Sequence, residues 1–305
     1  MSDNPRWPEL PFSAWSETCN TLQLWTQIAG KVVLKLTPLI NHWWNVTFNV
    51  TARGLAKASI PYQGQTFDIV FDFSNHRLDI ATSDGKLECL PLAPMAVADF
   101  YAEFVDRLRR LGIDVRIWTM PSEIEDGIAF DRDRTHAQYD AEYVERFHQA
   151  LVQSARVMTE FRARFIGKAS PVHFFWGSFD LAVTRFSGLT APPPKGHTPN
   201  VVDRVMAEAY SHECSSCGFW PGNGGFGQAA YYVYAYPEPQ GYGATRLTMP
   251  EADYNKDVGQ FILPYDAVRR ARDPDALLLS FFQETYAAAA DLAKWNRKDL
   301  ERAKP

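Results

Sequence analysis

An alternation of period two constrains this chain more than any other feature. Phe67, Ile69, Phe71 and Phe73 occupy every second position. Successive side chains of an extended backbone point to opposite faces, so these four share one face of a strand. Ser74-Asn75-His76 turns the chain, Leu78 and Ile80 begin the next strand, and Ser83-Asp84-Gly85 turns it again. Upstream, Trp44, Val46, Phe48 and Val50 alternate with Asn45, Thr47, Asn49 and Thr51. The pattern predicts an antiparallel meander over 44–91. A helix follows, because Val97, Phe100, Phe104, Leu108 and Leu111 recur at helical spacing and Gly112 is placed to stop it. Val115 to Trp118 reads as one more strand.

Residues 121–139 lack either period and read as a connector. Asp140 is placed to cap a long helix carrying Phe147, Leu151, Met158 and Phe161 on one stripe. Pro171 to Phe186 reads as one continuous strand buried on both sides, and Pro192-Pro193-Pro194 breaks the pattern. Asn200 is expected to cap a helix of about twelve residues. Gly222 to Gly227 is a loop, Ala230 to Tyr236 and Phe261 to Pro264 are strands, and Asp273-Pro274 opens the last helix. The fold class is therefore α+β, with antiparallel sheets packed by amphipathic helices. An N-terminal unit 1–120, the connector 121–139 and a C-terminal unit 140–305 follow. Each unit has an aromatic strand after a histidine (His42, His173) and a strand ending in Leu-Pro before a helix. Two duplicated halves and one continuous domain both fit this echo.

With 305 residues, 46% of them hydrophobic, the chain can bury a large core. A formal net charge of -5 offers no broad cationic surface for phosphates, which speaks against nucleic acid as a partner. The N-terminus does not read as a secretory signal, and no apolar run reaches the roughly 18 residues of a membrane span, so a soluble cytoplasmic protein is expected. Four cysteines, Cys19, Cys89, Cys214 and Cys217, are too few for a disulfide framework.

Several stretches are distinctive: Leu24-Trp-Thr-Gln-Ile-Ala-Gly-Lys31, Asn41-His-Trp-Trp44, Tyr101 to Phe104, Ser170 to Gly188, and Gly218-Phe-Trp-Pro-Gly222. Together they resemble the bacterial family catalogued as domain of unknown function 5996 over nearly the whole chain. The resemblance implies membership and no activity, so function has to be read from residue chemistry.

Gly222-Asn-Gly-Gly-Phe-Gly227 spells the dinucleotide fingerprint, but a strand follows it where that motif needs a helix. Cys214-Ser-Ser-Cys217 has redox or zinc-like spacing, yet His212 is the only further ligand nearby. The informative segment is 170–188, where polar residues interrupt an apolar run and need partners wherever they are buried. His173 and Arg185 fall on one face, Trp176 and Asp180 on the other. His212 and Glu213 sit beside the Gly-Phe-Trp-Pro turn that contains Trp220. The candidate catalytic residues are His212, Glu213 and His173, as base, partner or metal ligand. The candidate ligand-binding residues are Trp176, Asp180, Arg185 and Trp220, with Arg185 holding an anionic group. Acid/base or metal-assisted hydrolysis is the reaction class these would serve; cofactor and metal stay open.

Nine tryptophans, thirteen tyrosines and twenty phenylalanines exceed the needs of a core. They point either to a cleft binding a small organic ligand or to the interface of a non-catalytic homodimer.

Overall fold

In the computed structural model, which describes residues 6–303, the longest element is a helix near the start of the chain, α1 (Phe12–Leu36). It carries no clean apolar stripe because it is enclosed on most sides, with Trp15, Leu22, Trp25, Ile28 and Val32 but also Gln23, Gln27 and Lys31 buried. This enclosure hides it from a search for amphipathic periodicity.

A 3-10 turn (Asn41–Val46) leads into strands β1 (Asn49–Val50), β2 (Gly54–Tyr62), β3 (Gln65–Asp72), β4 (Arg77–Thr82) and β5 (Leu87–Pro91), then helix α2 (Val97–Arg110). The five strands pair in sequence order, all antiparallel. Ile69 faces Ile80 and Phe71 faces Leu78 across β3 and β4, as the alternation requires. The expected strand over 44–50 is corrected: residues 41–46 wind as a 3-10 turn with His42 and Trp43 at φ 56° and 62°, and only Asn49 and Val50 pair. Local side-chain bonds win there. Asn45 accepts from the Ile40 amide at 3.2 Å and donates to Thr37 at 2.9 Å, while His42 reaches the carbonyls of Glu208 and Ala209. The expected strand at 115–118 is also absent. Residues 113–139 form neither helix nor strand, so the connector begins directly after Gly112, whose φ of 79° ends α2.

The second half runs α3 (Ala141–Ala163), β6 (His173–Phe175), β7 (Asp180–Thr190), α4 (Asp203–Ala209), β8 (His212–Trp220), β9 (Ala230–Tyr236), β10 (Asp253–Asn255), β11 (Gln260–Pro264), α5 (Tyr265–Arg270), α6 (Pro274–Leu292) and α7 (Arg297–Leu300). Its six strands stand in the order β10-β11-β9-β8-β7-β6. Asp140 and Asp273 cap α3 and α6 by accepting from Tyr143 and Ala276 amides. Three expectations are corrected. The strand over 171–186 is a hairpin, broken at Trp176 to Phe179, with Phe179 at φ 63°. The twelve-residue helix capped by Asn200 is the seven-residue α4, and the Asn200 amide instead donates to Ile124 O at 3.0 Å. His212 and Glu213 open a strand and do not close a helix.

Helices α3 and α6 cover one face of the second sheet, and α1 lies between the two halves. Reciprocal backbone hydrogen bonds of 2.9 and 2.8 Å between Phe48 and Phe174 join the two sheets. One apolar cluster extends from Trp7 to Trp295 and includes buried residues of both sheets. Leu90-Pro91 ends β5 before α2, and Leu263-Pro264 ends β11 before α5.

Candidate functional site

The face of the second sheet turned away from α3 and α6 is not filled by side chains. It borders a cavity of about 1320 Å³. Strand alternation sends Asp180, Ala182, Thr184 and Phe186 of β7 into it, joined by Cys214, Ser216 and Trp220 of β8 and by Tyr232 and Tyr234 of β9. The opposite wall comes from α1, the 3-10 turn, the connector and α4.

Asp180 anchors the polar floor. It is 7% exposed; one carboxylate oxygen accepts from the Ser178 hydroxyl and the other from the Tyr232 hydroxyl. Tyr232 reaches Asp180 from two strands away by crossing over Gly218, its partner in register. A Cβ at Gly218 would sit 2.2 Å from the Tyr232 ring, so glycine is required for that crossing. Burial raises the Asp180 carboxyl above its ordinary range, and the two hydroxyl donors offset only part of this.

Glu123 lies beside it. Its backbone is in the left-handed region at φ 63°, where a non-glycine residue is strained. The strain is held by neighbours. The Glu123 amide donates to Pro199 O at 2.8 Å, while Gln27 of α1 accepts from the Ser122 amide at 2.8 Å and donates to the Ser122 carbonyl at 3.0 Å. The carboxylate lies against Gly177, where a Cβ would be 2.0 Å from Oε1. Glu123 is exposed in the cavity wall, and the protein packed around it, followed by the nearby Asp180, pushes its carboxyl up to about 7. Among the described residues no group donates a hydrogen bond to that carboxylate. Asn223, 4% exposed and also in the wall, donates to Gln23 Oε1 and Ser178 O, both at 3.1 Å, and its own Oδ1 has no partner.

The walls are aromatic. Trp176 donates its indole N–H to Val46 O at 2.9 Å and packs where α1 has Gly30, with no Cβ to block it. Trp220 stacks on Phe226 at 4.9 Å. Tyr210 and Tyr234 share a hydroxyl contact of 3.1 Å, and burial holds Tyr210 at about 12, so it stays a neutral donor. Lys168 donates to His42 Nε2 at 2.7 Å while His42 Nδ1 faces backbone carbonyls, so His42 is a neutral ring with both nitrogens engaged. Burial and Lys168 both lower its pKa.

Of the residues expected from sequence, Trp176, Asp180 and Trp220 border the cavity; His173, Arg185, His212 and Glu213 do not. His173 is 2% exposed and contacts Thr47 Oγ1 at 3.1 Å. Thr47 already donates to Trp44 O, so the imidazole Nδ1 is the donor, and burial draws the ring down to about 3, keeping it neutral. Arg185 projects from the other face of β7 into the core, 3.4 Å from the Phe161 ring centre and 4.3 Å from that of Tyr286. His212 bonds Ser211 at 3.0 Å, and Glu213, its neighbour on β8, points the opposite way with a buried Oε2 that lacks a partner. The four therefore form no joint centre. All four cysteines are free; Cys214 and Cys217 point to opposite faces of β8, and burial pushes Cys214 up to about 12. Among the described residues no cluster of three or more His, Cys, Asp or Glu could hold a metal.

Sequence reasoning missed Glu123, Gln23, Gln27, Tyr232 and Asn223. Glu123 lies in an aperiodic connector that no strand or helix pattern orients. Gln27, by contrast, sits in the Leu24 to Lys31 stretch already distinctive in the sequence.

A family model described as a family of unknown function (DUF5996) matches residues 7–302. No curated protein and no solved structure matches the chain. Among the described residues no helix is long and apolar enough to cross a membrane.

Proposed function

The chain belongs to the family of unknown function DUF5996, and we propose that it binds a small organic ligand in the cavity between the second sheet and α1. Glu123 and Asp180 are the polar anchor, and Trp176, Trp220, Tyr232 and Tyr234 are the walls. One observation carries this reading: the Glu123 carboxylate is placed on a strained backbone, against a glycine, beside a second carboxyl, open to the cavity and with no hydrogen-bond donor among the described residues. The arrangement keeps an acceptor open to the cavity, where a ligand bearing an amine or N–H group would pair with it.

Acid/base chemistry is the second reading, favoured by the Glu123 carboxyl at about 7, beside an Asp180 whose oxygens are both engaged. A group titrating near neutrality can both give and take a proton. In that reading Glu123 takes the role that sequence assigned to His212 or His173.

The test uses benzylamine as a minimal aromatic amine and follows quenching of the cavity tryptophans. Saturable binding is expected, weakened at least tenfold in Glu123→Gln and in Asp180→Asn. Equal binding to all three proteins, or no saturable binding, would refute the assignment of the carboxyl pair.

A further inference from the structure

The same cavity is also lined by cations. Lys31 lies on α1 one turn beyond Gln27, about 6 Å along the axis at 1.5 Å per residue. It is 5% exposed and borders the cavity, with its ammonium 4.9 Å from the Trp118 ring centre and 5.9 Å from that of Phe130. Lys35, one further turn along, and Arg116, two residues before Trp118, line the same wall. None of the three forms an ion pair with a carboxylate among the described residues. Of the carboxylates in the same wall, Asp133 is taken by the His136 ring at 2.7 Å and by the amides of Thr135 and His136, and among the described residues no ion pair joins Asp126 to a cation.

An enclosed ammonium with only ring faces for company is costly unless an anion completes it. Burial lowers Lys31 to about 8, which still leaves it mostly protonated at neutral pH. Lys31 is buried while Lys35 and Arg116 are exposed at the cavity rim, so one enclosed cation is flanked by two solvent-facing ones in a protein whose formal charge is -5.

We infer that Lys31, flanked by Lys35 and Arg116 and roofed by Trp118, is an anion subsite, and that the ligand is an aromatic zwitterion. Its carboxylate or other anionic group meets Lys31, its planar body lies between the aromatic walls, and its amine meets Glu123 and Asp180. This rests on the ligand-binding reading above and extends it to the class of compound.

The experiment compares benzylamine, benzoate and a graded series of para-substituted phenyl amino acids, in which zero to two methylenes separate the ring from the amine and from the carboxylate. Calorimetry is run on the wild-type protein and on Lys31→Met. At least one bipolar member is expected to bind tenfold or more tighter than benzylamine. Lys31→Met should erase that advantage while leaving benzylamine affinity within about twofold, and Glu123→Gln should weaken benzylamine without affecting benzoate. The wild-type comparison stands even if a variant folds poorly. If benzylamine binds but no bipolar member gains, or if the gain survives Lys31→Met, the anion subsite is wrong and ligand binding at the carboxyl pair stands. If benzylamine and every bipolar member fail, both readings fall.

Discussion

The two faces of β7 carry buried polar residues, Asp180 and Arg185, and treat them in opposite ways. On the core face, Arg185 is 0% exposed, wedged between Phe161 and Tyr286, and donates to the Phe161 carbonyl. On the cavity face, Asp180 is likewise buried, but it belongs to a wall that opens into empty volume and stands beside a carboxylate with no donor. A polar residue in an apolar strand thus has two meanings. Where aromatic rings and a carbonyl close around it, it is a component of packing, even with its Nε unpartnered as at Arg185; where it borders a cavity, it stays open to whatever enters.

This contrast is sharpest if Arg185→Ala is the most damaging single change. Removing a large, fully enclosed side chain leaves a void, and a loss of about 3 kcal/mol in chemical denaturation is expected. Arg185→Met, which keeps most of the volume and removes the buried charge, should cost much less. Equal losses would show that the guanidinium itself, and not its bulk, holds the two helices to the sheet.

A second effect comes from His173. Its folded-state pKa of about 3 lies below the ordinary value near 6.5, so the unfolded chain binds the extra proton. Stability should therefore be fully present above about pH 6.5 and fall progressively as pH drops toward 3. His173→Gln should flatten this limb of the stability curve. An unchanged acid limb would mean that the ring is protonated in the fold and available for chemistry after all.

Glu123 should show the smallest effect, with the opposite sign. Its carboxyl is raised to about 7, so the folded protein holds the proton more tightly and stability falls as pH rises from about 4.5 to 7, then levels. Glu123→Gly removes that penalty and the left-handed strain together, so its melting temperature at pH 7.5 should equal or exceed that of the wild type. A clear decrease would place Glu123 with Arg185, as a structural residue.

Much of the fold was legible because period and caps are local signals. The hairpin registers of β3 and β4, the helix α2 with its stop at Gly112, and the aspartate caps of α3 and α6 all follow from residues near one another in the chain. Of the residues the sequence singled out, those that border the cavity are Asp180 and Trp220, oriented by strands, and Trp176, in the turn between β6 and β7. Alternation had already placed Arg185 opposite Asp180, so its absence from the cavity follows from the same rule. His212 and Glu213 were misread because the helix was drawn too long and the strand began sooner. Glu123 and α1 were illegible for opposite reasons: one has no period, and the other is enclosed so completely that its period disappears.

The hydrogen bonds by which α1 fixes the cavity wall have a consequence for how the molecule assembles. Gln27 bonds to Ser122, 95 positions away, and Gln23 to Gly177 and Asn223, 154 and 200 positions away. Contacts of such separation form only after long loops have closed, and their entropic cost is met late in folding. The strained Glu123 backbone therefore has little to hold it until both sheets are in place. The pocket therefore exists only when α1, the connector and the second sheet are together, and no one of them holds its geometry alone.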